Sequence, residues 1–230
     1  VAFQVIEMFY VTTPYSKWCK RNGFRIIAAS LTLKTVWLFL ALPYLWLFDL
    51  ILAALLTGFV VTTLHRLRER KRRVSDVSIW FWNTGMVLLL FSLMAHAGYL
   101  WSSKTEFETT ALIAFSLFSL SVILGMMSKI VPFLVWFHLS SSGYIDTPIM
   151  SNIIPAQRNK ALYILFVFTL LFALGSPFYP LFLSVAGGSF FLLFGLLGVN
   201  LIRAVRLYQH TRATGKHFSM STDSDTASTL

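Results

Sequence analysis

The chain has 230 residues, of which 57% are hydrophobic and 12% are charged, and 19 Lys and Arg against 9 Asp and Glu give a net charge of +10. Soluble domains carry about 25% charged residues, and disordered chains are poor in hydrophobic residues, so both classes are excluded. The cations lie in short clusters between long apolar segments, which excludes the continuous basic face of a nucleic-acid-binding protein. This composition predicts an integral membrane protein whose main partner is the lipid bilayer.

Six apolar segments are long enough to cross the hydrocarbon core, which takes about 20 residues of helix. In chain order they are 26–43, 44–64, 77–101, 109–137, 161–178 and 181–207. Residues 1–9 read as the last turns of a truncated seventh helix, so we expect a C-terminal fragment that packs against preceding helices of the same protein. The predicted fold is an all-α, polytopic membrane helix bundle over residues 1–209. The small, polar residues 210–230 are predicted to form a disordered cytoplasmic tail.

The positive charges alternate from one connection to the next. Sixteen of the nineteen Lys and Arg lie in residues 10–25, 65–76 and 138–160 or at the end of the last apolar segment. Cytoplasmic loops of membrane proteins collect Lys and Arg. We therefore expect a multi-pass protein of the bacterial inner membrane with its C-terminus in the cytoplasm. The same rule places Ser75 and Asp76 at the cytoplasmic start of the third segment, where they are suitable helix N-caps.

Small and polar residues recur at helical spacing in several segments, and membrane helices pack through such residues. The stripes predicted to face inward are Gly85, Ser92, His96 and Tyr99 in the third segment, Ser121, Gly125, Lys129, Pro132 and Trp136 in the fourth, and Ser184, Gly188 and Gly195 in the last. The fifth segment is apolar on all sides and is predicted to face lipid.

Two lysines lie inside predicted spans, where an ammonium group costs roughly 2.5–3.5 kcal/mol. Lys34 is near the middle of its segment, and Lys129 lies in the inner third of the fourth. Each lysine either extends to the interface or pairs with an anion inside the bundle. We identify Glu7 as the only acidic candidate near the inner half and predict a pair between Glu7 and one of the two lysines.

His96 is the one histidine predicted to lie at membrane depth, about five residues from the outer end of its span. It is either a hydrogen-bonded packing residue or a metal or haem ligand through a neutral ring nitrogen. No second histidine lies on that side of the predicted bundle. A site with several histidines would therefore draw its other ligands from helices that precede Val1.

Pro132 interrupts the backbone hydrogen bonds of the fourth segment, which ends near His138. A proline removes one donor and frees a carbonyl one turn earlier. The segment is therefore predicted to be kinked, either for structural reasons or because it lines a cavity.

Two stretches of the sequence carry a family pattern. The first is VAFQVIEMF at residues 1–9, followed by Thr13-Pro14-Tyr15, and the second is KIVPFLVWFH at residues 129–138. Both resemble NnrS-like bacterial inner-membrane proteins, a group related to subunit I of the haem–copper oxidases. The resemblance implies bound haem and copper and a link to nitric-oxide stress or respiration. It extends, without assigned roles, to the matching positions Gln4, Glu7, Lys129, Pro132 and His138.

Three functions remain open from the sequence. The first is a haem- or copper-binding membrane protein in which His96 is the best ligand that this chain offers, with no enzymatic activity assigned. The second is a secondary transporter in which Lys34, Lys129 and the break at Pro132 line a substrate path. The third is a structural membrane subunit without chemistry of its own.

Overall fold

The computed structural model describes residues 15–40, 44–69, 76–144 and 147–215, and these residues are almost entirely helical. Because a bilayer offers no partners to backbone amides and carbonyls, long apolar segments satisfy them internally as helices. No β-strand occurs within the described ranges, and the all-α prediction is confirmed for them. In chain order the helices are α1 (Lys17–Phe39), α2 (Leu45–Arg68), α3 (Val77–Ser102), α4 (Thr105–Ser141), α5 (Met150–Ile153), α6 (Ala156–Gly175) and α7 (Pro180–Thr214).

Five helices, α2, α3, α4, α6 and α7, are long and apolar enough to cross a membrane. They match five of the six predicted spans. Helix α1 covers most of the remaining predicted segment, but Arg25 and Lys34 interrupt its apolar residues and it is not among the five. A sixth span stays a prediction, and the truncated helix at residues 1–9 lies outside the described residues.

Helices α4 and α7 exceed the lengths of their predicted segments the most, by eight residues each. Helix α4 has 37 residues, about 55 Å at 1.5 Å per residue, against a hydrocarbon core of about 30 Å. Helix α7 continues to Thr214. The first residues of the predicted disordered tail, 210–214, are therefore helical, and the rest of the tail lies outside the described residues. We define the basic end as the end formed by the last turns of α2, α4 and α7 and the first turns of α3 and α6. Helix α7 exceeds its predicted segment by seven residues at this end, whereas α4 exceeds its segment by four residues at each end.

Helices α3 and α4 form a tight antiparallel hairpin. Ser103 takes a left-handed conformation (φ 53°) and its amide donates to the Tyr99 carbonyl at 2.7 Å, which ends α3 and reverses the chain. Further along, the Ser121 hydroxyl donates to the Phe81 carbonyl at 2.6 Å, and the Ser92 hydroxyl donates to the Ala111 carbonyl at 2.8 Å. These bonds place Ser92 and Ser121, one serine from each predicted stripe, at the contact between α3 and α4.

Glycines set how closely α3 and α4 approach. A Cβ atom on Gly125 would lie 3.0 Å from the Phe81 Cβ and 3.2 Å from the Ser78 carbonyl oxygen. A Cβ atom on Gly85 would lie 3.4 Å from the Ser121 Cβ. The two glycines therefore let the helix backbones approach closely, as small residues do between membrane helices.

Helices α6 and α7 pack against this hairpin and against each other, and here one prediction is wrong. Ser184, Gly188 and Gly195 are exposed, and nothing lies within 4 Å of a Cβ added at either glycine. The buried face of α7 is Ala186, Ser189, Leu193, Asn200 and Ala204. Helix α6 buries only Leu162, Phe166 and Thr169, and most of its remaining surface is exposed. That this helix faces lipid stays a prediction. Small residues alone did not identify the packed face, because apolar side chains such as Leu193 fill the space between these helices.

Helices α1 and α2 are held more loosely. The buried residues of α2 are Val60, Thr63 and Leu67, all in its second half. At that end the Tyr15 hydroxyl donates to the Thr63 hydroxyl oxygen at 3.3 Å. The first half of α2 contains no buried residue. This difference leaves room for a cavity between α2 and the α3–α4 hairpin, away from the basic end.

Candidate functional site

A cavity of about 530 Å³ lies among α1, α2, α3 and α4 at the end of the bundle opposite the basic end. Sites for small molecules in proteins typically measure about 300–1,000 Å³ and combine apolar walls with a few polar groups. Most of this wall is apolar, including Trp46, Leu56, Leu93, Leu100 and Phe115. The polar lining residues are Lys34, Asp49, Ser92, His96 and Glu108.

Asp49 is at the centre of these polar residues. Its Oδ1 atom forms an ion pair with the Lys34 Nζ and lies 3.5 Å from the His96 Nε2. The Asp49 side chain is only 10% exposed, and the Lys34 side chain is 26% exposed. A carboxylate removed from water to this degree needs a charged or hydrogen-bonding partner. We call Lys34, Asp49 and His96 the Asp49 cluster.

Three helices contribute one residue each to the Asp49 cluster at a common depth. Lys34 lies five residues before the end of α1, Asp49 four residues after the start of α2, and His96 six residues before the end of α3. At 1.5 Å per residue these positions are about 6–9 Å from their helix ends. Lys34 is therefore nearer a helix end than predicted, because α1 ends at Phe39.

Asp49 is the functional candidate that the sequence analysis missed. It lies in the apolar segment 44–64, and an ionisable residue in such a segment marks a candidate site by the same argument that selected Lys34. The predicted partner of the lysines, Glu7, belongs to the inner half of the bundle, whereas Asp49 lies at the opposite end.

Lys129 pairs with Asp76 at the basic end. Asp76 is the N-cap of α3, as predicted, and its Oδ1 accepts the Ser78 amide at 3.2 Å. The assumption that Glu7 is the only acidic residue within reach of this region is therefore wrong, because the first turn of α3 brings Asp76 to Lys129. Glu7 and Gln4 lie outside the described residues, and a contact of Glu7 with either lysine stays a prediction.

Helix α4 runs through Pro132 without interruption. Pro132 is buried and has no amide to donate, so the carbonyl of Ser128 lacks its usual helical partner. Lys129 and Pro132 line a second cavity of about 350 Å³, as the transporter hypothesis predicts for a cavity-lining break. That cavity is at the basic end, so Lys129 and Pro132 do not share one cavity with Lys34.

His138 lies in the last turn of α4 and is exposed. Its ring centre is 6.0 Å from that of Tyr208, and its carbonyl accepts the Ser142 amide at 3.2 Å. It is therefore at the opposite end of the bundle from His96. The two histidines do not form one site.

The donors around His96 do not fit a copper centre. Its Nε2 atom, one of the two atoms that would bind a metal, lies against Asp49, whose charge is already paired with Lys34. Across residues 15–40, 44–69, 76–144 and 147–215, no three His, Cys, Asp or Glu side chains come together as metal ligands. Copper sites and haem–copper pairs draw on several histidines. The role of His96 as a haem or metal ligand stays a prediction.

Comparisons with known proteins add no relative: no protein-family model, no curated protein and no solved structure matches the chain. The resemblance to NnrS-like proteins therefore depends on the two sequence stretches alone. Of these, residues 129–138 lie entirely within the described part of the chain.

Proposed function

We propose that this chain is part of a membrane carrier that binds a small solute in the cavity at the Asp49 cluster. The observation that carries the proposal is the mostly buried Asp49 carboxylate, which Lys34 and His96 share at the wall of a 530 Å³ cavity. Ionisable residues inside membrane proteins are costly and typically mark paths for ions or substrates. The transporter hypothesis is therefore favoured over a purely structural subunit.

The proposed setting is the bacterial inner membrane, with α1 as a sixth span and the C-terminus in the cytoplasm. Five long apolar helices and the collection of cations at one end support this arrangement. In this orientation the Asp49 cluster opens towards the periplasm, and the cavity beside Lys129 and Pro132 opens towards the cytoplasm.

The proposed solute is a small organic cation with an apolar body. The charges of Lys34 and Asp49 cancel. With a neutral His96, the carboxylate of Glu108 then gives the described lining a net charge of −1. Trp46 and Phe115 add aromatic rings to the wall, and aromatic faces attract cations. The apolar remainder of the lining suits the hydrocarbon part of such a solute.

Exchange of partners at Asp49 is the proposed mechanism. A bound cation takes the place of the Lys34 ammonium at Asp49 and breaks the ion pair between α1 and α2. Asp49 then no longer connects Lys34 on α1 with His96 on α3. Because α1 and α2 are packed more loosely than α3 and α4, this loss lets the α1–α2 pair move relative to the hairpin, and binding energy shifts the population between the two arrangements.

Binding of tetraphenylphosphonium to the purified chain in detergent, measured by isothermal titration calorimetry, tests the proposal. We expect the parent chain to bind and Asp49→Asn to bind at least tenfold more weakly, because a neutral amide attracts the cation less. Asp76→Asn is the matched control, since it makes the same change outside this cavity, and it should bind like the parent. Equal binding by Asp49→Asn, or no binding by the parent, would reject a cation site at Asp49.

An absorption spectrum of the same preparation tests the competing hypothesis. A Soret band that disappears in His96→Ala would replace the carrier proposal with haem binding. A spectrum without such a band, together with cation binding that depends on Asp49, would support the carrier.

A further inference from the structure

The second cavity, at the basic end, has a different chemistry from the first. It measures about 350 Å³ and lies between the first turns of α3 and α6, the middle of α4, and α5. Its polar lining residues are Asp76, Ser128, Lys129, Ser151, Asn159 and Lys160. We propose that this cavity binds a phosphate-type oxyanion, either the headgroup phosphate of a lipid or a free phosphate group. The proposal does not depend on the carrier function.

Positive charge exceeds negative charge in this lining. Among the described lining residues, Lys129 and Lys160 supply two ammonium groups and Asp76 supplies one carboxylate. Both oxygens of Asp76 already have partners in the described chain: Oδ1 accepts the Ser78 amide, and Oδ2 contacts Lys129. The charges of Asp76 and Lys129 therefore cancel within their pair. The ammonium group of Lys160 remains as the net positive charge that an anion would neutralise.

The first turn of α6 adds to this positive potential. The first hydrogen bonds of this helix are donated by the amides of Arg158 and Asn159 to the Pro155 carbonyl. The amides of Ala156 and Gln157 come before these bonds and therefore have no acceptor within the helix. Ala156 lines the cavity. Acidic residues normally stabilise a helix start, but this first turn contains none. Lys160 follows on the same helix. The positive end of α6 is thus not balanced by acidic residues of its own first turn.

Neutral donors complete the cavity. Ser151 on α5 and Asn159 on α6 offer a hydroxyl and an amide, which are common partners of phosphate oxygens. Basic pockets between membrane helices on the cytoplasmic side bind phosphate headgroups of lipids. Met150 lines the cavity and Ile149 precedes it, and their exposed side chains provide apolar surface that an acyl chain would cover.

The proposal is tested by measuring the thermal midpoint of the purified chain in detergent while one probe is added at a time. The probes are phosphatidylglycerol, phosphatidylcholine and inorganic phosphate. Lys160→Gln removes the lysine that has no role in the Asp76 pair. Arg206→Gln is the control, because it removes one exposed cation near the basic end outside the cavity lining.

We expect phosphatidylglycerol to raise the thermal midpoint of the parent chain and of Arg206→Gln to the same degree. The apparent affinity of Lys160→Gln for this lipid should be roughly fivefold weaker, because one lysine near a phosphate contributes about a fivefold factor in affinity. If inorganic phosphate reproduces the same variant dependence and phosphatidylglycerol does not, the site binds free phosphate. Stabilisation that is equal for Lys160→Gln and the parent, or that phosphatidylcholine matches, would overturn the proposal.

Discussion

Within the described residues, each end of the bundle has a lysine–aspartate pair, and the two pairs have different surroundings. Lys34–Asp49 joins loosely packed helices beside a 530 Å³ cavity, its carboxylate is 10% exposed, and His96 approaches as a third partner. Lys129–Asp76 joins α3 to α4, which already pack closely, and its side chains are 33% and 30% exposed. A lysine–aspartate pair is therefore the main polar contact between the loosely packed helices α1 and α2, but only an additional contact between α3 and α4. Burial and the packing of neighbouring helices, rather than residue identity, set the importance of each pair.

The largest effect on stability is expected at Asp49. Asp49→Ala leaves the Lys34 ammonium without its partner in a mostly apolar setting, and breaking such a pair costs about 3 kcal/mol. Replacing both residues, as Lys34→Met with Asp49→Leu, should recover most of this loss. The free energy of unfolding of both variants is measured on the purified chain in detergent. Equal destabilisation by the single and the double replacement would contradict the assignment of Lys34–Asp49 as a coupled pair.

An intermediate loss of stability is expected at the uncharged contact between α3 and α4. Gly125→Val places new atoms against the Phe81 Cβ and the Ser78 carbonyl, neither of which is the mobile end of a flexible side chain, and such overpacking costs about 1–3 kcal/mol. Gly188→Val on the exposed face of α7 is the control, because nothing lies within 4 Å of its added Cβ. Its stability should equal or exceed that of the parent. A similar loss in both variants would contradict the observed packing of α3 on α4.

The smallest effect is expected at the second ion pair. Asp76→Asn keeps an N-cap acceptor for the Ser78 amide and loses only a pair that is about one-third exposed, so we expect a loss of about 0.5–1 kcal/mol. The same unfolding measurement applies, with Asp49→Asn as the comparison. If Asp76→Asn destabilises the chain as strongly as Asp49→Asn, the contrast between the two ends is wrong.

Much of the candidate site was visible in the sequence because charged residues stand out in apolar segments. Lys34 and His96 were selected in that way, and both line the cavity. Asp49 carries the same signal, as an ionisable residue in an apolar segment, but it lies in the half of the bundle opposite Glu7. Lys129 and Pro132 also line a cavity, but a different one from Lys34.

Packed faces were predicted well for one pair of helices and poorly for another. On α3 and α4 the glycines and serines mark the contact, because close backbone approach there requires small residues. On α7 the glycines lie on the exposed face, and Leu193 with its neighbours fills the contact with α6. A small residue permits close packing without requiring it, so its position alone did not identify the buried face.

Hydropathy, charge and length along the chain were enough to indicate a helical membrane bundle, the segments that form its apolar helices, and the end at which cations collect. These properties are local, because the surrounding lipid imposes helix on each apolar segment independently of its neighbours. The tertiary structure alone decided that Lys34 meets Asp49, that Lys129 meets Asp76, and that each pair borders a different cavity. Such contacts depend on the rotation and relative depth of neighbouring helices, and interhelical packing sets both.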